Sequence, residues 1–229
     1  MADALSALRT LERDLREIFS GRLQSLVQYG VRAYQAANSD HHGPHGHHEP
    51  PLLHTLTVTE TLTPEDLRAC AKRISAWHDD DIATPLIVPR AELVRSLDAF
   101  PFEFSAIIAD HVVVAGTNPF EGLHVESSDL RWACEVQARG HLLHLRQGYI
   151  EARGRDDALA VLIVRSAPAW KSLIENMARL EKRAAEPDDI TRLVGVKEIS
   201  NDDAVRMFPS YLASVERLTK YVDGWSAAK

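Results

Sequence analysis

Gln24-Ser25-Leu26-Val27-Gln28-Tyr29-Gly30-Val31-Arg32-Ala33 and, after a gap, Leu52-Leu53-His54-Thr55-Leu56-Thr57-Val58-Thr59 are the two stretches that decide the fold. Leu23–Tyr29 reads as a short apolar strand closed by Gly30. Leu52–Thr59 alternates, with Leu56 and Val58 on one face and Thr55, Thr57 and Thr59 on the other, and predicts a second strand. Ahead of them, Leu5, Leu8, Leu11, Leu15 and Ile18 recur at three- and four-residue steps through Ala4–Phe19, one apolar stripe of a helix that ends at Gly21. Between them, Ala36–Pro51 holds Asn, Ser, Asp, Gly and Pro but little that could pack, and reads as a loop.

Further on, Thr63-Pro64-Glu65-Asp66 has the order of a helix start: a hydroxyl cap, proline in the first turn, then acids. That helix is expected to turn Leu67, Cys70, Ala71, Ile74 and Trp77 inward. Ala83–Val88 reads as a strand, Pro89–Leu97 as a short helix, and Phe100–Ile108 with Val112–Ala115 as further strand. From Ser128 the pattern is helical only. Asp129–Ala152 repeats Leu130, Ala133, Val136, Leu142, Leu145 and Tyr149 at helical spacing. Asp156–Arg183 is one helix or a pair broken near Pro168, since an internal proline removes a hydrogen bond and crowds the preceding turn. Asp202–Gly224 places Met207, Tyr211, Val215, Leu218 and Val222 on one face. The expected fold class is α+β: a small mixed-sheet domain over 1–126, with residues 36–51 as a loop, then an all-helical bundle over 127–229.

The 229 residues suffice for two buried cores, and a net charge of −7 with a sequence pI near 5.9 argues against bulk nucleic-acid binding. Cys70 and Cys134 are far apart and form neither a disulfide framework nor a Cys-x-x-Cys metal hook. No leader and no membrane span is legible, so the expected setting is cytoplasmic. The long C-terminal helices could pair between chains as readily as within one, which keeps a homo-oligomer and a protein partner among the expectations.

Residues 1–126 resemble the nucleotidyltransferase-like domain of the polymerase beta type, on the Tyr29-Gly30 turn and the strands around it. The downstream helices resemble the helical domain of a group of bacterial nucleotidyltransferase-like proteins. The matching pieces include Ala83–Val88, Ser96–Phe104, Val113-Val114-Ala115-Gly116-Thr117-Asn118-Pro119, Leu130-Arg131 with Glu135, His141–Arg146 with Tyr149, Tyr211-Leu212 and Tyr221–Asp223. The resemblance implies a nucleotide cleft built from Gly30, Val31, Arg32, Thr55 and Thr57. In catalytic members two Mg²⁺ ions are held by an i, i+2 acid pair on one strand and a third carboxylate on its neighbour. In this chain the pair positions are Thr55 and Thr57, and neither the Leu53/Thr55 nor the Thr57/Thr59 register supplies an acid. Val31 stands where a hydroxyl usually follows the glycine. Glu103, and after it Asp98, are the remaining carboxylates that could match the third ligand. Magnesium requires hard oxygen donors that threonines cannot replace. The reading is therefore a non-catalytic, nucleotidyltransferase-like pseudoenzyme that acts as a binding or regulatory module for a nucleotide, small molecule or protein. The alternative is an active nucleotidyltransferase working on a small molecule or protein through Glu60, Asp98 and Glu103.

The loop 36–51 adds a third alternative, because His41, His42, His45, His47 and His48 are five of the eleven histidines. Neutral imidazoles on a Gly-containing tract can bind Zn or Ni, and a polar insertion with titrating histidines has the same composition. Asp79-Asp80-Asp81 lacks calcium-loop spacing. His141 and His144 share a helical face without a third ligand, and a hydrogen-bonding role fits them better.

Overall fold

The computed structural model describes residues 2–32, 34–35 and 51–225. The chain divides into two compact units, Met1–His124 and Val125–Lys229. The architecture is α+β, with all strands of the described residues in the first unit.

In the first unit α1 (Ala2–Phe19) leads through a 3-10 turn into β1 (Leu23–Tyr29). There follow β2 (His54–Thr59), α2 (Pro64–Ala71), α3 (Ile74–Asp79), β3 (Leu86–Pro89), α4 (Arg90–Ala99), α5 (Pro101–Ala109) and β4 (His111–Gly116). The sheet order is β3-β2-β1-β4: β1 runs antiparallel to β2 and β4, and β2 parallel to β3. Pro89 is tolerated in β3 because that strand is an edge.

One face of the sheet packs under α1, α2 and α3. Leu8, Leu11, Leu15 and Phe19 from α1 meet Leu26, Leu53, Cys70, Trp77 and Ile82 in a single apolar core. A carboxylate is sealed inside it: Asp14 is buried, accepts from Trp77 Nε1 at 3.0 Å and pairs with Arg73 at 2.8 Å. Partnering on this scale is what makes a buried carboxylate tolerable. A second lock closes α2 onto the start of β1. Thr63 and Asp66 form a reciprocal capping box, and Asp66 takes a two-pronged hydrogen bond from Arg22 at 2.7 and 2.8 Å. That guanidinium, with the Thr63 donors, holds the Asp66 carboxyl well below the usual carboxylate range. Asp66 rather than Leu67 therefore faces inward on α2, and Leu67 is exposed.

Phe100–Ile108 departs from its expected strand: Pro101–Ala109 is helix. Pro101 sits in the first turn with its φ preset for helix, and Phe104 and Ile107, three apart, are the buried pair.

The second unit packs α6 (Ser127–Ala152), α7 (Asp156–Leu180) and α8 (Asn201–Gly224) against one another. α7 continues through Pro168, with Ala167 and Trp170 buried on either side of it. On α6 the buried residues are Leu130, Cys134, Ala138, Leu145 and Ala152, whereas Val136 and Tyr149 are exposed, contrary to the sequence expectation. A polar chain crosses this core. Ser166 Oγ donates to the Ile163 carbonyl at 2.9 Å, and the Tyr211 hydroxyl donates to Ser166 at 3.0 Å. With both hydroxyl protons committed, the 2.6 Å contact to His141 must be Nε2–H donating to the Tyr211 oxygen. Trp170 stacks on His141, 5.8 Å between ring centres, and donates from Nε1 to Asp188 at 2.7 Å.

Burial, with a smaller contribution from His144, pushes His141 down from 6.5 to about 4. Between these values the unfolded chain binds a proton that the folded chain refuses. The stability contributed by neutral His141 is therefore complete above about pH 6.5 and is lost as pH falls toward about 4. Thermal melts followed by circular dichroism should show the helical transition falling across that window, and falling less in His141→Gln, which keeps a donor to Tyr211.

Candidate functional site

Three parts of the first unit bear on function: the threonine row of β2, the Gly30 turn and the far end of the sheet. Thr55, Thr57 and Thr59 share one face of β2. Thr57 pairs with Leu26 and Ile87, and both of these belong to the core under α1. All three threonines are buried, at 0–1 % exposure, and their hydroxyls have no hydrogen-bond partner among the described residues. Leu56 and Val58, on the opposite face, are also buried, with α4 packed over β2 and β3. β2 is thus enclosed on both sides. The positions where the resemblance places a metal-binding acid pair open into apolar core.

Asp98 and Glu103 are exposed on α4 and α5, so Glu103 stands on a helix, not on the strand expected for it. The structure does not bring either into the threonine row. His41, His42, His45, His47 and His48 lie outside the described residues. Among the described residues no group of three or more His, Cys, Asp or Glu is placed to hold a metal ion.

Gly30 adopts φ +66°, a left-handed conformation open to glycine at little cost, and its N–H donates to the Asp110 carbonyl at 2.9 Å. Arg32 adds two donors to the turn, and both are engaged. Its backbone N–H reaches Asp110 Oδ2 at 3.1 Å, and its guanidinium pairs with Asp110 at 3.3 Å and donates to the Ala109 carbonyl at 2.9 Å. The groups that would cradle a phosphate are held within the same chain, the Gly30 N–H by the Asp110 carbonyl and Arg32 by the Asp110 carboxylate and the Ala109 carbonyl. Val31 is half-buried beside them.

Register places two residues that sequence reasoning missed next to this turn. Tyr29 pairs with His54 on β2 and with His111 on β4, so the three form one cross-strand row. The Tyr29 and His54 rings lie 5.6 Å apart, and His111 packs edge-on against Phe120 at 4.9 Å. His111 Nδ1 contacts the Ile108 carbonyl at 3.0 Å; since the carbonyl can only accept, Nδ1 carries a proton and donates. Desolvation raises the Tyr29 phenol above its ordinary value, so it is a neutral donor. No motif announces this row, because it exists only once β1 is paired on both sides.

At the far end of the sheet a cavity of about 370 Å³ is lined by Ser25, Val58, Arg90, Thr117, Asn118 and Glu121, among others. Gly116 lets the end of β4 lie close against β1: a Cβ there would lie 1.9 Å from the Gln24 carbonyl oxygen, and φ is +78°. Beyond Gly116 the chain is tied down by Ser25 Oγ donating to the Thr117 carbonyl at 2.5 Å and by Arg90 donating to the Pro119 carbonyl. A guanidinium, a carboxylate and side-chain amides around one opening suit a small polar ligand.

No protein-family model and no curated protein matches the chain. Among solved structures it is similar to the spectinomycin adenyltransferase of an Enterococcus, determined with ATP and spectinomycin. The two are 10 % identical with a TM-score of 0.42, over 91 % of this chain and 98 % of that one. A likeness this distant carries no inference about activity. No described helix is long and apolar enough to cross a membrane.

The enclosed threonine row gives a stability test. Thr57→Val removes an unpartnered hydroxyl and should raise stability by about 1 kcal/mol in chemical denaturation. Thr57→Asp buries a charge and should lower it by about 3 kcal/mol or more.

Proposed function

We propose that this protein is a nucleotidyltransferase-like protein that does not transfer nucleotides and works as a binding or regulatory module. The observation that carries the reading is the burial of Thr55 and Thr57, with unpartnered hydroxyls, on the sheet face that carries the apolar core. Two-metal catalysis needs charged oxygen ligands facing substrate, and here the positions are buried threonines, Thr57 lying between Leu26 and Ile87 of the apolar core. The Asp110 clamp on the Gly30 turn supports the same reading, since it satisfies the donors that would otherwise hold a triphosphate.

The test combines turnover with binding. Incubation with ribonucleoside triphosphates and Mg²⁺ or Mn²⁺ is expected to release no pyrophosphate above the buffer rate, and Glu103→Gln is expected to leave that result unchanged. Magnesium-dependent release that disappears in Glu103→Gln would overturn the proposal in favour of an active transferase. In a thermal-shift series, ATP is expected to move the wild-type midpoint less than that of Asp110→Ala, in which Arg32 is released from its carboxylate.

A further inference from the structure

Helix α6 carries two apolar stripes on opposite sides. Leu130, Cys134, Ala138, Leu145 and Ala152 face the core of the helical unit. On the other side Trp132, Val136, Arg139, Leu143, Arg146 and Ile150 follow one another at steps of four, three, four, three and four residues. That is the spacing of a coiled-coil seam. Every member is exposed: Trp132 62 %, Val136 49 %, Leu143 63 % and Ile150 73 %, with the Arg139 and Arg146 side chains at 51 % and 50 %. Single exposed apolar residues need no explanation, but a continuous seam of them along a 26-residue helix does.

We propose that this seam pairs with the same seam of a second copy of the chain, antiparallel, about a two-fold axis at the level of His141. The spacing is palindromic, so a two-fold operation sets Trp132 against Ile150, Val136 against Arg146, and Arg139 against Leu143. Each contact joins an apolar side chain to another or to the aliphatic stem of an arginine.

Charge singles out a like copy as the occupant. The two cations within the seam are already neutralised by their own chain, Arg139 by Glu135 and Asp223 and Arg146 by Glu216. A partner with an acidic face would compete with those acids, whereas an identical seam asks nothing of them. Beyond the two ends of the seam stand Asp129, in the first turn of α6, and Arg153, which caps its C-terminus in a left-handed conformation; neither forms an ion pair among the described residues. They have opposite signs, and the same two-fold places each opposite the other. The flanks are compatible with close approach. Gly140 falls opposite its own copy near the axis, and a Cβ built on it meets nothing within 4 Å. Leu142 on the other flank also meets itself.

The experiment is sedimentation equilibrium on the full chain at micromolar concentrations. The wild type is expected at about twice 25.5 kDa. Leu143→Arg, which sets a cation against Arg139 of the other copy, is expected to be monomeric with an unchanged circular dichroism spectrum. Asp129→Arg should weaken the dimer about tenfold by facing Arg153, and adding Arg153→Asp should restore it. A wild-type monomer, a dimer indifferent to Leu143→Arg, or a double charge swap that fails to rescue would each overturn the proposal. The charge-swap arm separates this outcome from mere loss of fold, because a misfolded variant is not rescued by a second surface change.

Discussion

Enclosure of β2 on both faces is the constraint from which the rest of the first unit follows. The strand is flanked by β1 and β3, covered by α1 and α3 on the threonine side and by α4 on the Leu56 side. An ionised side chain on an enclosed strand would lose its hydration with no cation at hand, so charge is excluded at 55, 57 and 59. Threonine is the polar residue such a site can hold, since its methyl group packs and its β-branch suits a pleated strand. Its hydroxyl still loses water. Three unpartnered hydroxyls in a row are a standing cost, offset by the apolar burial around them. The threonine face of β2 is the floor of a core.

The same logic reaches the Gly30 turn by another route. A left-handed glycine between a strand and the next turn exposes backbone N–H groups, and exposed donors attract an anion. Asp110 supplies that anion from the end of α5, next to the β4 residue that pairs with Tyr29. Because β1 lies between β2 and β4, its final residue brings both neighbours to one place. The Asp110 clamp and the His54–Tyr29–His111 row are two results of that single pairing. A ligand arriving here competes with an intramolecular carboxylate, which carries no cost of association.

What the sequence discloses and what it conceals divides along physical lines. The α+β class, β1, the alternation of β2 and the Thr63–Asp66 helix start are legible because each is a local signal: periodicity, a glycine stop, a cap. Absence of an acid pair at Thr55 and Thr57 is legible for the same reason. Burial of those threonines is not, because alternation with Leu56 and Val58 looks the same whether the second face meets water or a helix. Phe100–Ile108 misleads since aromatics at 100, 102 and 104 imitate a strand while Pro101 sets up a helix. Leu67 misleads since an inward place on α2 is taken by Asp66, whose claim rests on Arg22, 44 residues earlier. His54, His111 and Asp110 cannot be assembled without the register, and the register is a property of three strands at once.

Helix α6 conceals itself in a different way. Apolar residues on two opposite sides blur the periodicity, and a reading that seeks one stripe mixes members of both, as with Leu130 and Leu145 from one and Val136 from the other. The two stripes differ in chemistry. The inner one is narrow and small, with Cys134 and Ala138 admitting close neighbours, and burial pushes the Cys134 thiol up to about 12, which leaves it inert. The outer one is large and is interrupted by arginines whose charges are already matched. A helix that only had to close a three-helix unit would need the first stripe alone, with polar residues on the side facing water. The second stripe, at coiled-coil spacing and with charges of opposite sign at its ends, is the feature that the proposed pairing of two copies would explain.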